Sequence, residues 1–117
     1  MKIRMNVDGR NVVATLDDTA ASRDFAALLP LSLTLSNYAQ IERIADLPKK
    51  LSLKGAPAGV AGKAGDITYY APWGNLAIFV ENGEYARGLV RLGRVETGLA
   101  ALERDGPLNV RIERIEE

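Results

Sequence analysis

Cysteine and histidine are both missing from this chain, and aromatic residues make up only 6% of it. Without cysteine there is no disulfide framework, thiolate nucleophile, redox switch or sulfur-ligated metal. Without histidine the commonest general base and the commonest metal ligand are gone, which leaves Asp, Glu, Lys and Tyr for proton transfer. Conventional hydrolase triads and zinc centres are excluded on inventory alone, and neither a metal nor a cofactor is expected. An excess of one charge is also missing, since 15 Lys and Arg balance 15 Asp and Glu. With no net field to draw phosphate backbones or anionic headgroups, neither nucleic acid nor a membrane is an expected partner. No apolar run approaches the ~20 residues that span a bilayer. The opening residues, Met1 to Val7, carry Lys2 and Arg4 and lack the apolar core of a signal peptide, so a cytoplasmic location is expected.

What is there describes one folded unit. The 117 residues are 47% hydrophobic and 26% charged, a globular balance in a length suited to one core, so residues 1–117 are read as a single domain. Ile3, Met5 and Val7 alternate with polar residues, Asp8-Gly9 supplies a turn, and Val12, Ala14 and Leu16 resume the alternation, which predicts an opening hairpin. Asp17, Asp18 and Thr19 offer N-cap oxygens for a helix whose Ala21, Phe25, Leu28 and Leu29 share a face and which Pro30 ends. The acids at its start are placed to complement the helix dipole. Leu31, Leu33 and Leu35 alternate with Ser32, Thr34 and Ser36 as a half-buried strand, and a weaker strand is expected from Gln40 to Ala45.

Lys54 to Gly65 is dominated by Gly, Ala, Pro and Lys and reads as a surface loop. Glu81 to Arg87 reads as an exposed polar excursion, Leu89 to Val95 as a strand and Glu96 to Glu103 as a short helix. Asp105-Gly106-Pro107 then turns into a last strand, in which Leu108, Val110 and Ile112 alternate with polar residues. The pattern amounts to about eight short, mostly antiparallel strands and about two short helices. So many strands in so short a chain are best satisfied by closing the sheet, which predicts a mainly β fold, a small closed barrel capped by the helices.

The segment from Ala64 to Val80, AGDITYYAPWGNLAIFV, holds the main aromatic cluster. It reads as a hairpin around Pro72-Trp73-Gly74-Asn75. One role for Tyr69, Tyr70, Pro72 and Trp73 is a stacking wall beside a pocket. The plainer role is a tyrosine inside, a tyrosine outside and a turn that covers the rim. Arg87, Arg91 and Arg94, near Glu81, Glu84 and Glu96, pose a similar choice between a carboxylate-binding patch and solvated ion pairs. Asp17-Asp18 reads as a cap and not as an acid-base pair. The lysines at 49, 50, 54 and 63 do not stand in phosphate-loop order.

LGRVETGLAAL, Leu92 to Leu102, resembles the FGxVxxGxxxL segment of cyclophilins. The Leu28-Leu29-Pro30 helix exit and the GDITYYAPWG hairpin extend the likeness to the compact bacterial cyclophilin-like domains of about this length, over nearly the whole chain. The resemblance implies a closed cyclophilin-like barrel, and in its wider form it implies prolyl isomerisation by an arginine that polarises the imide above an apolar floor. Phe79, in LAIFV, is the position similar to that floor. The arginine strand of cyclophilins has its counterpart in LPLSLTLSNYAQIER, which carries no arginine at the matching position. The tryptophan and histidine that precede FGxV in cyclophilins are replaced by EYARGLVRLG.

The expectation is therefore a module without covalent chemistry that binds a small molecule or an extended peptide. Its candidate ligand-binding residues are Tyr70, Trp73, Phe79 and Arg87, and it has no candidate catalytic residue. A slow prolyl isomerase with Arg87 as polariser is the enzymatic alternative, and a homo-oligomeric interaction domain is the structural one.

Overall fold

The computed structural model describes residues 1–115. Ten strands and two helices follow in the order β1 (Lys2–Val7), β2 (Arg10–Leu16), α1 (Ala20–Ala27), β3 (Leu31–Tyr38), β4 (Glu42–Asp46), β5 (Gly59–Ala61), β6 (Asp66–Tyr70), β7 (Asn75–Phe79), β8 (Tyr85–Arg87), β9 (Leu89–Thr97), α2 (Ala100–Glu103) and β10 (Leu108–Ile115). Eight of them close an antiparallel barrel in the order β1-β10-β3-β4-β7-β6-β9-β2, while β5 and β8 pair with each other outside it. Closure leaves the barrel no edge strand, the outcome expected of so short an all-antiparallel chain.

The alternation of the opening hairpin dictates its placement. Asp8 and Gly9 take φ of 47° and 88°, the left-handed pair of a two-residue turn, and Val7 faces Arg10 across it. Ile3, Met5, Val7, Val12 and Ala14 are thereby turned inward and are fully buried. They join Leu35, Ile67, Tyr69, Leu76, Ile78, Leu92, Leu108 and Ile112 in one core. Both helices feed the same core, α1 with Ala21, Phe25 and Ala26 and α2 with Ala101 and Leu102. Thr19 is the N-cap of α1 and accepts from the Ser22 N–H at 3.1 Å, while the buried Ser22 hydroxyl donates to the Leu92 carbonyl at 2.7 Å and ties the helix to β9.

Both glycines of the LGRVETGL segment have a physical reason. A Cβ on Gly93 would stand 2.9 Å from the Cα of Leu16, so its absence is what lets β9 close on β2. Gly98 takes φ of 91°, and a Cβ there would stand 3.1 Å from the Cα of Val12.

Several details depart from the sequence pattern. The expected loop from Lys54 to Gly65 contains β5, and the expected excursion from Glu81 to Arg87 contains β8, so the described residues form ten strands where the pattern predicts about eight. Neither piece alternates, because each is three residues long and gains its partner only at long range, Gly59 opposite Arg87 and Ala61 opposite Tyr85. The helix expected over Glu96 to Glu103 is only Ala100–Glu103, since β9 runs on to Thr97 to pair with Val13 past a bulge. The first turn of α1 holds no acid. Asp17 instead pairs with Arg91 at 3.1 Å, and Asp18 with Arg23 at 2.6 Å. Among the described residues, no helix is long and apolar enough to cross a membrane.

Candidate functional site

The register of the sheet builds a second apolar surface on the outside of the barrel. Residues directly opposite each other in an antiparallel pair point to the same face. Tyr38 faces Glu42 and Glu42 faces Phe79, which sets one row. Ile44, Ala77 and Thr68 form the next, and Asn75, Tyr70 and Leu89 a third. Their sequence neighbours Tyr69, Leu76 and Ile78 lie in the barrel core, so these rows face outward. Yet every residue of β7 is buried. The cover is supplied by the β5–β8 ribbon, whose Val60 and Ala86 pack with Ala77, Phe79 and Leu89 into a separate apolar cluster.

Between ribbon and barrel wall lies a cavity of about 190 Å³. Tyr38, Tyr70 and Trp73 form its aromatic side, with Trp73 edge-on to both tyrosines at ring-centre distances of 5.6 and 5.5 Å. Ile44, Phe79, Ala86 and Leu89 form its apolar side. Phe79 is 3% exposed and lies between two glycines, with a Cβ on Gly62 falling 2.5 Å from its ring and one on Gly83 falling 2.6 Å away. Trp73 is 59% exposed, so the cavity opens beside the indole.

The polar groups of the wall are acidic or neutral. Glu42 is half-buried there, and that burial pushes its carboxyl above the usual glutamate value. No hydrogen bond or ion pair reaches the Glu42 carboxyl among the described residues; neighbouring Arg43 turns inside the barrel and donates to the carbonyls of Glu42, Glu103 and Arg104. Asn75, 3% exposed, donates its Nδ2 to the Leu76 carbonyl at 3.0 Å and leaves Oδ1 buried with no partner. The carbonyl at Nδ2 settles the orientation of the amide, so the orphan is an acceptor. Glu84 completes the polar lining from the ribbon side.

Of the residues singled out in the sequence, Tyr70, Trp73 and Phe79 therefore meet in one cavity. Arg87 does not join them. On β8 it is Ala86 that faces the cavity, and Arg87 lies in a separate shallow depression with Ala58, Ala71, Pro72 and Gly88. The arginine patch is likewise dispersed into ion pairs, with Arg91 on Asp17 and Arg94 on the buried Asp66 at 2.9 Å. Tyr38, Glu42 and Asn75 were not picked out as site residues in the sequence, and Glu84 was named there only as a neighbour of the arginines. Asn75 had read as a turn residue, and Tyr38 and Glu42 become neighbours only through the register of β3 on β4. Among the described residues there is no group of three or more His, Cys, Asp and Glu that could hold a metal ion.

No curated protein matches this chain. A solution structure of a hypothetical protein from Archaeoglobus fulgidus shares the fold with a TM-score of 0.69 at 17% identity, over 98% of this chain and 95% of that one. The profile of the cyclophilin-like family matches residues 5–113, and the chain belongs to that family.

Proposed function

We propose that this domain is a binding module that holds a small molecule, or one side chain of an extended peptide, in the cavity between the β5–β8 ribbon and the outer barrel wall, without covalent chemistry. One observation carries the reading: an outward face of the barrel is kept apolar and aromatic by Tyr38, Tyr70, Ile44 and Phe79 and is covered by a two-stranded ribbon that leaves about 190 Å³ unfilled. That space exceeds the ~150 Å³ in which an apolar cavity admits benzene. Concave, mostly apolar sites with a few placed polar groups are where small ligands bind. Prolyl isomerisation draws no comparable support, because no arginine lines the cavity and Arg87 lies outside it.

Trp73 is the only tryptophan, so its emission reports on this site alone. Titration with small metabolites and short peptides, followed by indole fluorescence and by amide shifts of Tyr70, Phe79 and Ala86, should single out ligands that move these signals together. A library that leaves all of them unmoved would overturn the proposal.

A further inference from the structure

The polar chemistry of the cavity narrows its ligand to one class. Its charged residues are Glu42 and Glu84, with no lysine or arginine among the lining side chains. Its one charged acceptor on the barrel wall, the Glu42 carboxylate, has no donor from the protein among the described residues. Glu42 faces Phe79 at one end of the wall, and Asn75 marks the other end four residues back along β7, a Cα separation of about 13 Å along the strand. Tyr38, Trp73 and Tyr70 bridge that interval, each tyrosine ring nearly perpendicular to the indole at 87° and 81°. Aromatic faces turned in different directions around a site lined with carboxylates suit an organic cation, which gains from the ring quadrupoles as well as from the charge.

Resting on the proposed function, we infer that the cavity takes an aliphatic ammonium, with the cation at Glu42 and the apolar stem along Tyr38, Trp73 and Tyr70. A free aliphatic amine or diamine presents this chemistry, and so does a lysine residue in an extended peptide.

The test uses the intact chain and three probes of nearly equal shape, 1,5-diaminopentane, 1,5-pentanediol and glutarate, each titrated by amide and indole N–H shifts. The diamine is expected to bind at least about tenfold more tightly than the diol, and glutarate to leave Trp73 and Ala86 unmoved. Glu42→Gln should bring the diamine to within about threefold of the diol, and unchanged diol binding by this variant shows that its cavity is intact. Equal binding of diamine and diol to the unaltered protein overturns the inference and leaves the cavity as a binding site. If none of the three moves a cavity residue, both the inference and the proposed function fall. N-acetyl-lysine N-methylamide separates the two sources: tighter binding than the diamine supports a peptide lysine, and weaker binding supports a free amine.

Discussion

Replacing Gly62 by alanine tests whether Phe79 is held where the cavity needs it. A Cβ on Gly62 falls 2.5 Å from both Cε1 and Cζ of the ring and 2.7 Å from Cδ1. An optimal carbon contact is ~3.5–4.0 Å, so the ring has to move by about 1 Å. It cannot simply slide away, because Gly83 is packed against the opposite edge, where a Cβ would stand 2.6 Å from Cε2. The space open to it is the cavity.

Overpacking of this kind costs ~1–3 kcal/mol, and the stiffer unfolded chain offsets ~0.4–1 kcal/mol of that, leaving a net loss of roughly 0.5–2 kcal/mol. At ~2.1 cal/mol/K per residue the 117 residues unfold with roughly 0.25 kcal/mol/K, so the melting temperature should fall by about 2–8 °C. The assay is calorimetric melting of Gly62→Ala, Phe79→Val and the double variant. Valine removes every ring atom named above, so in its background the alanine should be neutral or slightly stabilising. The resulting coupling should be about 1 kcal/mol, as residues in contact give. An unchanged melting temperature for Gly62→Ala, or the same loss in both backgrounds, would refute the reasoning.

Two further perturbations follow from the same geometry. Burial raises the Glu42 carboxyl above its ordinary 4.5, so its contribution to stability is fully present below the ordinary glutamate range and is lost as the pH rises through the raised pKa. Glu42→Gln should therefore melt slightly above the parent at neutral pH, with a gap that closes as the pH falls below 4.5; Glu84 shares the cavity and Arg43 touches the Glu42 carbonyl from inside the barrel, so melts of both proteins in a Glu84→Gln background isolate the effect. Asp66 is 3% exposed and accepts from the Lys63 N–H and from Arg94, both at 2.9 Å. Asp66→Ala should cost ~1–3 kcal/mol and Asp66→Asn less, because the amide oxygen still accepts, and equal melting of the two variants would sink this account.

The barrel was legible in the chain because its strands declare their inner faces. Ile3, Met5 and Val7, or Leu108, Val110 and Ile112, alternate strictly, and a strand with one buried face can sit in only one register. Asn75–Phe79 was legible as a strand and illegible as a wall. Its second buried face is created by β5 and β8, which at three residues each are too short to alternate and whose partners are distant in sequence. Arg87 is expected at the cleft with Tyr70, Trp73 and Phe79, and on β8 strand parity gives the cavity to Ala86 instead. Tyr38 and Glu42 belong to the site through pairing across β3, β4 and β7, a relation that no local window contains.

The coincidence of two local losses in one place is what ties the cavity to function. An acceptor buried without a donor costs ~1–3 kcal/mol, and Asn75 Oδ1 is in that position. An ionised carboxyl that burial disfavours is a second loss, and Glu42 supplies it on the same wall. A fold selected only for stability would place a lysine or an arginine opposite Glu42, and the chain has 15 such residues elsewhere. Asn75 Oδ1 is closed even to water, so solvent does not compensate its loss. Stability alone gives no reason for Trp73 to stand 59% exposed between two tyrosines at the mouth of the same space. Local inconsistencies that the rest of a fold carries are expected at functional sites, and both of these fall on residues that line the space a ligand would fill.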